Sequence, residues 1–174
     1  QYGKKYLLIS NQNALMYKEI FPYVKKNLVW TGYRFGDMSF KVPNDTSPRK
    51  TRFWIDETGQ KWRSLGNATW ITNLEVNKEE IKLDLSCKYD EKKYQKYDNF
   101  DAIHIKRVSE IPYDYDGIMG VPLTYMKYHN PNSSVYEIVG EANHGTDNEY
   151  DLFKPIINGK EVFKRILIRR KKND

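Results

Sequence analysis

The chain has 174 residues, with 29 Lys or Arg against 23 Asp or Glu, a formal net charge of +6. Its aromatic content of 14% excludes a disordered, charge-dominated tail, because such tails lack the apolar bulk to fold. No apolar run approaches the roughly 20 residues that a membrane-spanning helix needs, and the single cysteine, Cys87, excludes a disulfide framework or a Cys-rich zinc site.

These bounds describe one ordinary domain, or part of a larger one, in a reducing compartment such as the cytoplasm. The basic excess favours an anionic partner. Gln1-Tyr2-Gly3-Lys4-Lys5 holds neither an initiator Met nor an apolar signal core, which reads as the start of a fragment of something longer.

Tyr6-Leu7-Leu8-Ile9-Ser10 is a short apolar run closed by the polar turn Asn11-Gln12-Asn13, and reads as a strand. Asn13 is placed to cap a following helix. Its apolar positions would be Leu15, Ile20, Phe21 and Val24, with a bend at Pro22 and an end at Asn27. A strand running into a capped helix is the unit of a parallel α/β sheet. Residues 28 to 75 change character. Short strand-forming runs at 28–30, 40–43, 51–56, 61–65 and 68–72 alternate with turns such as Glu57-Thr58-Gly59-Gln60, giving a β-rich region with interleaved aromatic and basic residues. Further on, Ile81, Leu83 and Leu85 alternate as in a strand, and the Lys/Tyr-rich stretch from Tyr89 to Tyr97 reads as a solvated loop or short helix. Ala102 to Ile105 reads as a strand, Val121 to Tyr128 as a helix opened by Pro122, and Val135 to Gly140 as a strand. Asn158-Gly159 between Phe153–Ile157 and Val162–Ile168 predicts a hairpin with a primed turn. The tail from Arg169 to Lys172 reads as basic and frayed.

No phosphate-binding Gly-rich loop, dinucleotide fingerprint, GxSxG or HExxH is present. His104, His129 and His144 lack metal-ligand spacing. Asp114 and Asp116 flank Tyr115, so on an extended segment both carboxylates would share a face and a divalent metal could sit between them, as in a nuclease. The same Pro-Tyr-Asp-Tyr-Asp-Gly run also makes a turn for local backbone reasons. The Asn-X-Ser/Thr triplets at Asn44, Asn67 and Asn132 lack a secretory context.

The β-rich region carries the partner signal: Trp30, Tyr33, Arg34, Arg49, Lys50, Arg52, Trp54, Lys61 and Arg63 fall close together. Arg and Lys neutralise phosphates, and an aromatic face stacks on an unpaired base. Trp residues equally serve as core, and cations as a solvated face, so a stand-alone nucleic-acid-binding module and an ordinary β-rich domain both fit this pattern.

Several segments together resemble the EcoRI-type adenine-specific DNA methyltransferases. They are Lys5 to Ala14 with Tyr17 to Pro22, Trp30-Thr31-Gly32-Tyr33, Gly66 to Leu74, Tyr97 to Ile103, Ile111 to Pro122, and Ile157 to Lys160 with Arg165 to Ile168. The resemblance implies methyl transfer from S-adenosylmethionine to N6 of a flipped adenine in double-stranded DNA, within a restriction–modification system. That family's Asn-Pro-Pro-Phe motif and Gly-rich cofactor loop precede the Lys-Tyr-Leu-Leu-Ile-Ser strand, and neither is present here; Asn130-Pro131-Asn132 does not match. The resemblance therefore covers the C-terminal half alone, and no catalytic or cofactor-binding residue is carried over. It implies an α/β fold, the C-terminal part of a Rossmann-like methyltransferase sheet. Residues 1–27 would be a strand–helix piece, 28–110 a β-rich target-recognition region, and 111–174 a closing helix and antiparallel strands. The parent would be an enzyme that binds S-adenosylmethionine mostly through its N-terminal half. This chain alone would be inactive, and the sheet edge at residues 6–10 would be open to a second copy or to the missing half.

Overall fold

A computed structural model of the protein describes residues 3–78, 81–132, 134–142 and 154–171. Ser133, His144, Phe153 and Lys172, which enter the sequence reading, lie outside the described residues. The architecture is mixed α/β and mostly strands.

The main sheet is built from β7 (Ile103–His104), β8 (Met119–Val121), β9 (Tyr136–Ala142) and β12 (Arg165–Arg170), in the order β7-β8-β12-β9. β7 and β8 are parallel, and β12 runs antiparallel to both of its neighbours, β8 and β9. Three strands thus point one way, with one reversed strand seated between the last two. Ile166 and Ile168 enter the principal core, whereas Leu167 packs with Val139 and Ala142 on the other side. That two-sided burial explains the unbroken apolar run Ile166-Leu167-Ile168, since a strand covered on both faces needs no polar alternation. The principal core also takes Leu15, Met16, Phe21 and Val24 from the start of the chain, and Tyr125 and Met126 from a 3-10 helix over Leu123–Lys127.

A second sheet joins β1 (Leu7–Asn11), β6 (Ala68–Thr72) and β2 (Trp30–Thr31) in the order β1-β6-β2, antiparallel throughout. The parallel strand–helix unit expected for the first residues is therefore not what forms. β1 pairs antiparallel with β6 in a register running from Leu7↔Thr72 to Asn11↔Ala68, clamped where Asn73 accepts from the Tyr6 N–H at 2.9 Å and donates to Lys4 O. Nor is there one long helix after it. A 3-10 helix over Gln12–Met16 is capped by Asn11, not Asn13, and α1 (Phe21–Lys25) starts afresh with Pro22 in its first turn. Proline lacks the N–H an interior turn would need, but the first turn leaves that donor unused. Asn27 ends α1 at a positive φ, as expected.

Other expectations shift in the same way. Ile81, Leu83 and Leu85 do alternate in burial, but they form no strand, and Leu83 and Leu85 lie against the core without a ladder. The tyrosine-rich stretch is largely a solvated loop, as expected, but two of its tyrosines turn inward. Tyr94 and Tyr97 are buried, Tyr94 donates its hydroxyl to Glu110 O at 2.9 Å, and Tyr97 shares a 2.9 Å hydrogen bond with His104 Nδ1. The Asn158-Gly159 turn forms with both φ angles positive, between β10 (Ile156–Ile157) and β11 (Lys160–Glu161). Its second arm stops at Glu161, because β12 pairs with β8 and β9 instead. The tail is not frayed at its start: Arg169 and Arg170 belong to β12, and Arg169 grips Glu137 through Nε and Nη2 at 3.0 and 2.8 Å. No helix among the described residues is long and apolar enough to cross a membrane.

Candidate nucleic-acid interface

A third sheet stands apart from this body. β3 (Ser39–Lys41), β4 (Phe53–Ile55) and β5 (Lys61–Ser64) pair antiparallel in the order β3-β5-β4. Within residues 39–64 only Val42 is a buried apolar side chain, and none of these residues joins a hydrophobic core cluster. The register sorts the side chains. Lys41, Trp62 and Trp54 lie across from one another on one face, while Phe40, Arg63 and Phe53 share the other with Lys61 and Ile55. Both faces meet solvent: Trp54, Phe40 and Ile55 are all exposed. A three-stranded sheet this small normally needs one covered face for stability.

Local hydrogen bonds take over part of that role. Asp56 organises the β4–β5 turn: one carboxylate oxygen accepts from the Thr58 N–H, the Thr58 hydroxyl and the Gln60 N–H, and the other accepts from Trp62 Nε1 at 2.7 Å. These donors hold its carboxyl at a pKa of about 2, below the usual range. At the neck, Asp37 accepts from Ser64 Oγ at 2.7 Å and from the Gly66 N–H at 2.6 Å. Arg52 lies across Gly66, in the space a Cβ there would fill, and Nη1 reaches Leu65 O at 3.4 Å.

The nine residues named from the sequence divide on these facts. Tyr33, Arg34, Arg49, Lys50, Arg52 and Trp54 are exposed. Trp30 is not, and its indole N–H is spent on Leu74 O at 2.8 Å. Lys61 is half-buried and holds the loop carbonyls of Asn44 and Thr46. Arg63 is half-buried between Phe40 and Phe53. Two further members of this face, exposed Lys41 and half-buried Trp62, were not among those nine. Lys41 places its ammonium 5.6 Å from the Trp62 ring centre, and Trp62 stacks on Trp54 with ring centres 6.2 Å apart and planes 5° from parallel. The strand at residues 61–65 was visible, but the pairing that brings Lys41 beside it depends on register. Residues 39–64 hold six Lys or Arg against three Asp or Glu, which is half of the chain's net positive charge.

On the main body, a groove of about 740 Å³ is lined chiefly by apolar side chains, including Leu83, Leu85, Tyr128 and Tyr136. At its floor Lys78 is buried and donates to Thr31 Oγ1, Met126 O and His129 O at 2.8, 3.3 and 3.2 Å. Burial lowers its pKa to about 8. His129 is likewise buried and bonds Asn27 through Nε2, with its pKa pushed down to about 4 by burial. Asp114 accepts from the Tyr89 N–H, and among the described residues no group of three or more His, Cys, Asp or Glu could hold a metal. Asp114 thus sits in a turn, and the pair gains no third ligand among the described residues.

A family model described as adenine-specific methyltransferase EcoRI matches residues 1–171. The chain belongs to the EcoRI adenine-specific methyltransferase family. The type II methyltransferase M.EcoRI of Escherichia coli is 40% identical over 176 residues, covering 99% of this chain and 52% of that protein. The type II methyltransferase M.MpnI of Mycoplasma pneumoniae is 34% identical over 137 residues, covering 75% of this chain and 43% of its own length. The chain thus spans about half the length of these methyltransferase relatives. No solved structure matches it.

Proposed function

We propose that these residues are the DNA-recognising part of an adenine-specific DNA methyltransferase of a restriction–modification system, acting in the cytoplasm. The observation that carries this reading is the outlying basic sheet, open on both faces, in a member of this family whose sequence contains no Asn-Pro-Pro. The parent enzyme moves the methyl group of S-adenosylmethionine to N6 of an adenine turned out of double-stranded DNA. The catalytic motif and most of the cofactor site belong to polypeptide preceding residue 1. Strands β8, β9 and β12, within residues 111–174, belong to the closing part of a Rossmann-like sheet, a reading supported by the reversed β12 between the co-directional β8 and β9. Residues 28–110 grip the substrate, with Tyr33, Arg34, Arg49, Lys50, Arg52 and Trp54 on the exposed surface. Lys61 and Arg63 support that surface from within its own sheet, whereas Trp30 belongs to the neighbouring β1-β6-β2 sheet.

The isolated chain is expected to bind duplex DNA with an affinity that falls steeply with salt, by about 0.9 log units per log unit of salt for each phosphate engaged. It should transfer no labelled methyl group from S-adenosylmethionine. Filter binding across a salt series, beside a methyl-transfer assay, checks both. Failure to hold duplex at low salt overturns the recognition role, and turnover by the chain alone overturns the assignment of catalysis to polypeptide outside it.

A further inference from the structure

The outlying sheet presents more than positive charge. Trp54 is 41% exposed and its indole N–H bonds no described residue, whereas Trp30 and Trp62 both use theirs. Behind it, the Trp62 ring is fixed by its hydrogen bond to Asp56, which the turn itself holds in place. Trp54 is thus a flat aromatic surface supported from one side and unoccupied by the protein. Lys41 flanks the pair on the same face. An aromatic plane on a rigid support, beside a cation, is what an unpaired nucleotide requires: the base stacks and the phosphate is neutralised.

We propose that Trp54, backed by Trp62 and flanked by Lys41, is a stacking platform for an unpaired base of DNA. This rests on the recognition role proposed above and adds to it a preference for disrupted over continuous duplex. The positive excess of residues 39–64 argues for a nucleic acid over an apolar peptide as the occupant. Ile55, on the opposite face, takes no part.

The test compares a short oligothymidylate with a blunt duplex of equal length, read by tryptophan fluorescence quenching and by titration. The wild-type chain should bind the oligothymidylate with quenching. Trp54→Ala should weaken that binding about tenfold, the size expected for losing one stacked base, and weaken duplex binding distinctly less. Trp54→Phe should retain most of it, and Ile55→Ala all of it. Lys41→Ala should lower the salt dependence by about one phosphate. Unchanged oligothymidylate affinity in Trp54→Ala overturns the platform, as does an equal loss for both DNAs or an equal loss in Ile55→Ala. If the wild type binds duplex but not oligothymidylate, the platform fails and the recognition role stands. If it binds neither, both fail.

Discussion

Lys78 occupies a position that carries a cost by itself. A lysine ammonium held away from water with no carboxylate among its described partners loses hydration that three oxygen acceptors only partly replace. The fall of its pKa from 10.5 to about 8 measures that imbalance, on the order of 3 kcal/mol. The sign follows from proton counting. Below pH 8 both folded and unfolded chains carry the proton, and the folded chain bears the full burden. Between pH 8 and 10.5 the unfolded chain holds the proton and the folded chain does not, so stability rises with pH. Chemical denaturation of wild type and Lys78→Met across that window should show the rise in the wild type relative to the variant; parallel curves would contradict it. The lysine was not legible as buried, because its three acceptors come from residues 31, 126 and 129, brought together only by folding.

At the scale of elements, the β4–β5 hairpin depends on one carboxylate. Asp56 keeps its charge down to about pH 2 because four donors converge on it. Its contribution is present above the ordinary carboxylate pKa near 3.8 and is lost as pH falls through about 2. The Trp62 indole N–H resonance should therefore shift with a midpoint near pH 2, and Asp56→Ala should show the shifted position at neutral pH. A midpoint near 4 would mean that the carboxylate is not so engaged. The turn itself was legible, as was Asn158-Gly159, because both are local conformational demands. What escaped was pairing. The Ile81, Leu83, Leu85 alternation marks which side chains turn inward, but a ladder needs a partner strand that spacing does not name. Tyr94 and Tyr97 looked solvated among lysines, yet each hydroxyl finds a partner and the ring fills the core. At the candidate site, the exposed loop cations were readable from composition. The separation of Trp54 from Trp30, and of Arg52 from Lys61, required knowing which polar atoms were already engaged.

At the scale of the molecule, β1 is the feature the described residues leave least settled energetically. Leu7, Leu8 and Ile9 are 51, 56 and 58% exposed, so both faces of an edge strand show apolar side chains to water. Burying such a side chain fully is worth about 1.5–3 kcal/mol. Prepared as residues 1–174 alone, the chain is expected to self-associate with rising concentration, and Leu8→Lys to reduce that association. Sedimentation equilibrium decides, and a monomer at all concentrations would contradict it. The outlying sheet has the opposite relation to the body. Among the described residues it shares no hydrophobic cluster with the rest, and Asp37 joins the two ends of the segment through Ser64 and Gly66. Random change there leaves the interior intact, so lineages can explore new residues at Lys41, Arg49 or Ile55 without risking collapse, and a surface with that freedom diversifies faster than the frame that carries it.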